Sequence, residues 1–157
     1  MELVYGAAYL YSKFLNNHII HYFTKFEQNH THMIAGLGID IVEVERIEEK
    51  LQKNNGFREL VFSENEITYC ESRANKFEHY AARFAAKEAF FKALGTGWLN
   101  GTAFNEVQIT NNELGKPEIT LLGGTHDVIS AMGFSSIHVS LTHVKGMASA
   151  VVVVEKG

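Results

Sequence analysis

The segment RFAAKEAFFKALGTG, residues 83–97, restricts the fold of this chain more than any other stretch. At about 100° per residue, Ala82, Ala85, Ala86, Ala89 and Ala93 fall on one side of a helix. A stripe of methyl groups lets such a helix lie close against a sheet or another helix. Phe84 and Phe91 point a second way, Phe90 and Leu94 a third, and a helix apolar nearly all round is buried. The pattern extends back to about His79 and stops at Gly95-Thr96-Gly97. Arg83, Lys87, Glu88 and Lys92 nevertheless run through it. Glu88 and Lys92 lie beside the alanine stripe, not opposite it. They form either an i,i+4 ion pair at the helix edge or a charged rim aimed at a ligand. Lys92 stands one turn before the Gly-Thr-Gly turn, whose backbone N–H groups phosphate oxygens can approach unobstructed. With Arg83 and Lys87 supplying further positive charge nearby, the combination points to a phosphorylated ligand.

The rest of the chain divides by period. MIAGLGIDIV, from Met33, is an apolar run with two glycines and no helical repeat, hence a strand that admits close backbone approach. EVERIEEKLQKNNG follows as a helix closed by Asn-Asn-Gly. SENEITYCESR is a second helix, with Ser63 and Glu66 spaced as a capping box. AFNEVQIT and PEITLL read as strands around the turn NNELGK, and THDVISAM as a short helix capped by Thr125. IHVSLTH and MASAVVVVE form a final hairpin about Lys145-Gly146. Helices on a mainly antiparallel sheet make an α+β domain. The spacing of Gly36 and Gly38 lacks the GxGxxG pattern, and hairpins follow, so a dinucleotide-binding fold is rejected.

Asp40 interrupts the first apolar strand. It serves either as a cap for the next helix or as a metal-binding carboxylate with Glu88 as its partner. Two carboxylates completed by water and phosphate oxygens suit Mg²⁺; no cysteine–histidine cluster offers a zinc site. In HVSLTH, alternation puts Ile137, Val139 and Leu141 on one face and His138, Ser140 and Thr142 on the other. A polar face on such a strand marks a site or a hydrogen-bonded structural histidine.

The net charge of −4 argues against a general nucleic-acid binder. No run reaches the roughly 18 apolar residues of a membrane span. The single cysteine, Cys70, fits a reducing cytoplasm and has the character of a small packing residue. Residues 1–32 differ from the rest: they are rich in aromatics and asparagine, hold His18, His21, His30 and His32, and carry no clean period. They read as an upstream leader or appended extension without chemistry, Met33 being a candidate initiator. The domain proper is expected over 33–157.

GLGIDIVEVERI, RFAAKEAFFKALGTG, GKP at 115–117 and HVSLTH, in that order, resemble the motifs of the bacterial holo-[acyl-carrier-protein] synthases, which are 4′-phosphopantetheinyl transferases. The similarity runs from Met33 to about Glu155, and the middle motif is the most specific. The resemblance implies transfer of the phosphopantetheine arm of coenzyme A to a serine of apo acyl carrier protein, releasing adenosine 3′,5′-bisphosphate. It implies Mg²⁺ on Asp40 and Glu88, and a coenzyme A site lined by Arg83, Lys92, Gly95, Thr96, Gly97, Pro117, Ser140 and Thr142. It also implies a compact homotrimer with active sites between subunits, where the HVSLTH face and the Glu88 helix meet.

Within that implied reaction Glu88, Lys92 and His138 are the catalytic candidates. The serine proton goes to a metal-bound water, to Glu88 or to His138, with Glu66 a weaker fourth, and His138 is favoured as a supporting polar group. Arg46, Lys50 and Lys53 recur on one face of the first helix. That is either a solvated face or, as the resemblance at Arg46 implies, a dock for an acidic carrier protein. A coenzyme A-binding regulator without turnover and a trimeric scaffold without any ligand are the rival classes.

Overall fold

The computed structural model describes residues 33–53 and 55–157; the leader assigned to residues 1–32 and its histidines lie outside them. Strand β1 (Met33–Glu43) leads into helix α1 (Val44–Gln52), the short α2 (Phe57–Val61), α3 (Glu64–Glu71) and the long α4 (Lys76–Ala93). A single 3₁₀ turn (Phe104–Glu106) precedes β2 (Val107–Asn111) and β3 (Pro117–Leu121). Helix α5 (Gly123–Ser130) then precedes the hairpin of β4 (Ser136–Val144) and β5 (Met147–Lys156). Strands β1, β5 and β4, in that order, make an antiparallel sheet, and β2 pairs antiparallel with β3. The domain is α+β.

Helix α4 lies along the inner face of β1 and β5. The sequence provides for this contact from both sides. Ala82, Ala85, Ala86, Ala89 and Ala93 are buried, as are their sheet counterparts Ala148, Ala150, Val152 and Val154. On β1 the inward positions facing Ala93 and Ala89 are Gly36 and Gly38. A Cβ at Gly36 would stand 1.9 Å from the Ala93 carbonyl oxygen, and one at Gly38 1.9 Å from that of Ala89. Helix and strand backbones are therefore nearly in touch, and β1 bulges once, between Ile34 and Gly36.

Ser63 caps α3 through the full capping box with Glu66. Three expectations shift. FRELV, unassigned from sequence, is α2, entered through Gly56 at φ 80°. Residues 104–106 form the 3₁₀ turn and not the start of a strand. Thr125 lies inside the first turn of α5, not at its cap: its hydroxyl donates to Glu106 and accepts from the Ala103 N–H, while Glu106 also accepts the Thr125 N–H.

The outer face of the three-stranded sheet carries rows that run across it: Leu37–Val153–His138, Ile39–Val151–Ser140 and Ile41–Ser149–Thr142. Leu37, Ile39 and Ile41 are 64%, 65% and 64% exposed. This face is apolar along β1 and polar along β4.

Candidate active site

Because the glycines bring α4 down onto β1, the edge of α4 that carries Glu88 and Lys92 meets the inward side chain of Asp40. Lys92 Nζ donates to Asp40 Oδ1 at 2.7 Å and to the Ile39 carbonyl at 3.2 Å. Glu88 is half-buried, and its carboxyl is pushed above the usual range first by burial and then by the negative charge of Asp40. Lys92, Arg46 and Lys50 pull the other way. Asp40 is not a helix cap, since the N-cap of α1 is Glu43, which makes no side-chain cap bond.

Two carboxylates and a carbonyl, with an ammonium already seated among them, are a hard-oxygen donor set that suits Mg²⁺. Among the described residues no group of three or more histidine, cysteine, aspartate or glutamate side chains could hold a metal. The remaining positions would fall to water and ligand oxygens. One turn beyond Lys92 the chain reverses through Gly95 (φ 72°) and Gly97 (φ 65°), conformations that L side chains rarely adopt, with Thr96 exposed between them.

Arg83 lies elsewhere on α4, in a pocket with Pro117, Asn111, His79, His143 and Tyr69. Its guanidinium is buried, stacks 4.0 Å from the Tyr69 ring and donates to the His79 carbonyl and Asn111 Oδ1. Arg83 Nε has no hydrogen-bond partner among the described residues. Burial, then the charges of His143, Arg83 and Arg73, hold His79 below the usual imidazole value. His143 Nδ1 sits 3.0 Å from Glu78 Oε2. The structure thus gathers two residues singled out from sequence, Arg83 and Pro117, and adds His79, Tyr69, Asn111 and His143. The last was legible: strand alternation puts it on the face opposite His138.

Lys87 has a different place from the one its neighbours suggested. It is fully buried, donating to Glu66 Oε2 (2.8 Å) and to the Phe104 and Val107 carbonyls. Glu66 also accepts the Ser63 and Ile109 N–H groups. The pair is an internal brace between α3, α4 and β2, so neither Lys87 nor Glu66 faces a ligand. Burial pushes the Cys70 thiol up to about 12, leaving it unreactive.

His138, Ser140 and Thr142 occupy the outer face of the sheet, across it from Asp40 and Glu88 within one chain; His138 Nε2 lies 3.1 Å from Glu155 Oε2. On the side of α1, Lys50 Nζ sits 5.1 Å from the Phe57 ring centroid and 5.8 Å from that of Phe84. Those rings wall an almost wholly apolar cavity of about 190 Å³ that includes Leu60, Trp98 and Phe104. Phe84 and Glu88 are one helical turn apart, so this cavity lies on the Glu88 side of α4. Arg46 acts on Glu88 from the same side. The cavity was not anticipated, because three of its seven wall residues, Phe57, Leu60 and Val61, belong to the unassigned α2.

A family model described as the 4′-phosphopantetheinyl transferase superfamily matches residues 36–145. The chain belongs to that superfamily. Its enzymes of the holo-[acyl-carrier-protein] synthase type are the relatives it resembles. That of Cytophaga hutchinsonii is 48% identical over 126 residues, covering 79% of this chain and 99% of the relative. Among solved structures, the holo-[acyl-carrier-protein] synthase of Neisseria meningitidis has a TM-score of 0.74 and 33% identity, covering 79% of this chain and all of that one. The Bacillus anthracis enzyme, solved in complex with CoA (3′,5′-ADP), has a TM-score of 0.66 and 36% identity, with 80% and 99% covered. This phosphopantetheinyl transferase is therefore an enzyme, which removes the reading as a scaffold.

Proposed function

We propose that the chain transfers the 4′-phosphopantetheine arm of coenzyme A to a serine of an apo acyl carrier protein, with Mg²⁺, for fatty acid biosynthesis in the cytoplasm. The observation that carries this reading is the approach of Asp40 and Glu88 to each other at one cation-binding edge of α4, just before the left-handed glycine turn.

The serine oxygen forms a bond to the pantetheine-side phosphorus. The bond from that phosphorus to the bridging oxygen breaks, and adenosine 3′,5′-bisphosphate leaves with the electron pair. Asp40 and Glu88 would hold Mg²⁺, which would supply positive charge against the diphosphate oxygens and ease deprotonation of the serine hydroxyl. Lys92 adds a second positive charge on the same side. The Gly95-Thr96-Gly97 turn offers the Thr96 and Gly97 N–H groups to phosphate oxygens, the Gly95 N–H being donated to the Lys92 carbonyl. The buried Arg83, with Pro117, His79 and His143 beside it, suits the anionic nucleotide end of coenzyme A. The serine proton passes to water at this site or to a carboxylate oxygen of Glu88, which stands beside it. Arg46, Lys50 and Lys53 offer a basic face to an acidic carrier protein, and the cavity beneath Lys50 receives an apolar side chain of that carrier. His138, Ser140 and Thr142 reach coenzyme A from a neighbouring subunit of a homotrimer, a reading supported by the exposed apolar row on β1.

The test is mass spectrometry of apo acyl carrier protein after incubation with the chain, coenzyme A and Mg²⁺. The carrier gains the mass of the phosphopantetheine arm, and Asp40→Asn or Glu88→Gln lowers the rate at least about 100-fold. Coenzyme A binding by calorimetry with no adduct on the carrier would instead favour the regulator.

A further inference from the structure

Lys92 is the one cation that touches the candidate metal carboxylates among the described residues, and its position is not one a phosphate ligand alone would need. Nζ stands 2.7 Å from Asp40 Oδ1 and 3.2 Å from the Ile39 carbonyl, both oxygens of β1. Asp40's side chain is 16% exposed while that of Lys92 is 52% exposed, so the carboxylate is fixed in the protein and the lysine reaches in from water. Glu88 makes no hydrogen bond of its own to this lysine, yet Lys92 is the strongest influence favouring its ionised form. Two carboxylates and one ammonium leave a charge of −1. A divalent cation added to that set would bring two positive centres onto the same oxygens, and their repulsion favours departure of the one on a flexible stem.

We propose that Lys92 is a stand-in cation: it neutralises Asp40 in the metal-free chain, and is handed from Asp40 to the diphosphate of the incoming ligand when the divalent ion binds. Lys92 thereby couples the two binding events. Metal alone must break the Lys92–Asp40 pair. Metal together with a diphosphate gives the displaced ammonium a new partner, so each ligand favours the other. This rests on the metal reading made under the proposed function, and concerns the lysine and not the transfer step.

The experiment titrates Mn²⁺ into the full chain by calorimetry, with and without coenzyme A and without carrier protein, for the parent, Lys92→Gln and Lys92→Arg. Thermal unfolding of each variant checks that it is folded, as expected for a side chain half in water. Without coenzyme A, Lys92→Gln binds Mn²⁺ about fivefold more tightly than the parent, the size of one partly exposed ion pair. Lys92→Arg, which keeps the charge, stays within about twofold of the parent. The factor by which coenzyme A enhances Mn²⁺ affinity shrinks about tenfold in Lys92→Gln. Equal or weaker Mn²⁺ binding by Lys92→Gln without coenzyme A, or the same gain in Lys92→Arg, overturns the stand-in role while leaving the metal reading untouched. A parent that binds no Mn²⁺ even with coenzyme A overturns both.

Discussion

Glu88 holds its proton more tightly than a free carboxyl, through burial and the neighbouring charge of Asp40. The folded, metal-free chain therefore binds more proton here than the unfolded chain does, over a window from the ordinary carboxylate range up to the raised value. Stability contributed by this group falls as pH rises through that window. Glu88→Gln removes the slope, and without metal the variant should be at least as stable as the parent at neutral pH. Its gain should be below about 1 kcal/mol, because Lys92, Arg46, Lys50 and solvent screen the repulsion. Urea unfolding from mildly acid to neutral pH reads this directly; a variant less stable than the parent at neutral pH would contradict like-charge proximity. Sequence singled out Asp40, Glu88 and Lys92 because each charge breaks an apolar pattern. Lys87 misled for the converse reason: one position before Glu88, it points about 100° away and into the core. Only the tertiary partners Glu66, Phe104 and Val107 distinguish a buried brace from a ligand-facing cation.

The contact of α4 with β1 is what converts these single charges into a site. Its two halves were each visible in sequence, as an alanine stripe and as a strand with two glycines, but nothing local said that they match. Gly38→Ala tests the match. The new Cβ would meet the Ala89 carbonyl oxygen at 1.9 Å and the Ala93 nitrogen at 2.6 Å, both backbone atoms that cannot swing aside. We expect a loss of roughly 3 kcal/mol or more, read as a lower urea midpoint, with metal binding weakened because Asp40 moves relative to Glu88. At Gly146 a Cβ meets nothing within 4 Å, so Gly146→Ala should lie within about 0.5 kcal/mol of the parent. Similar losses at both positions would mean that the close approach does not hold the fold. The elements with strong period or caps, β1, α3, α4 and the β4–β5 hairpin, were legible. Helix α2 was not, since its five residues are too few to display a period. Residues 103–106 read as strand because propensity cannot see Lys87 gathering the Phe104 and Val107 carbonyls.

The described residues divide the candidate site side chains between two faces of one sheet. Asp40, Glu88 and Lys92 lie on the α4 side, while His138, Ser140 and Thr142 lie on the other, across β5 from exposed Leu37, Ile39 and Ile41. No flexing of a packed three-stranded sheet joins these groups, so if both sets serve one reaction they belong to different subunits. A closed ring of identical subunits can do this, since each subunit offers one face to its neighbour and receives the other. The consequence is complementation. Glu88→Gln chains lack the acid of α4, and His138→Ala/Ser140→Ala chains lack the polar groups of β4. Each alone should form trimers by sedimentation yet transfer poorly. Refolded together in equal amounts, they should recover about one quarter of parental activity, since a random ring pairs an intact α4 edge with a neighbour's intact β4 face at that frequency. If the mixture assembles fully but stays as inactive as its components, the catalytic set lies within one chain and the outer face is an interface without chemistry.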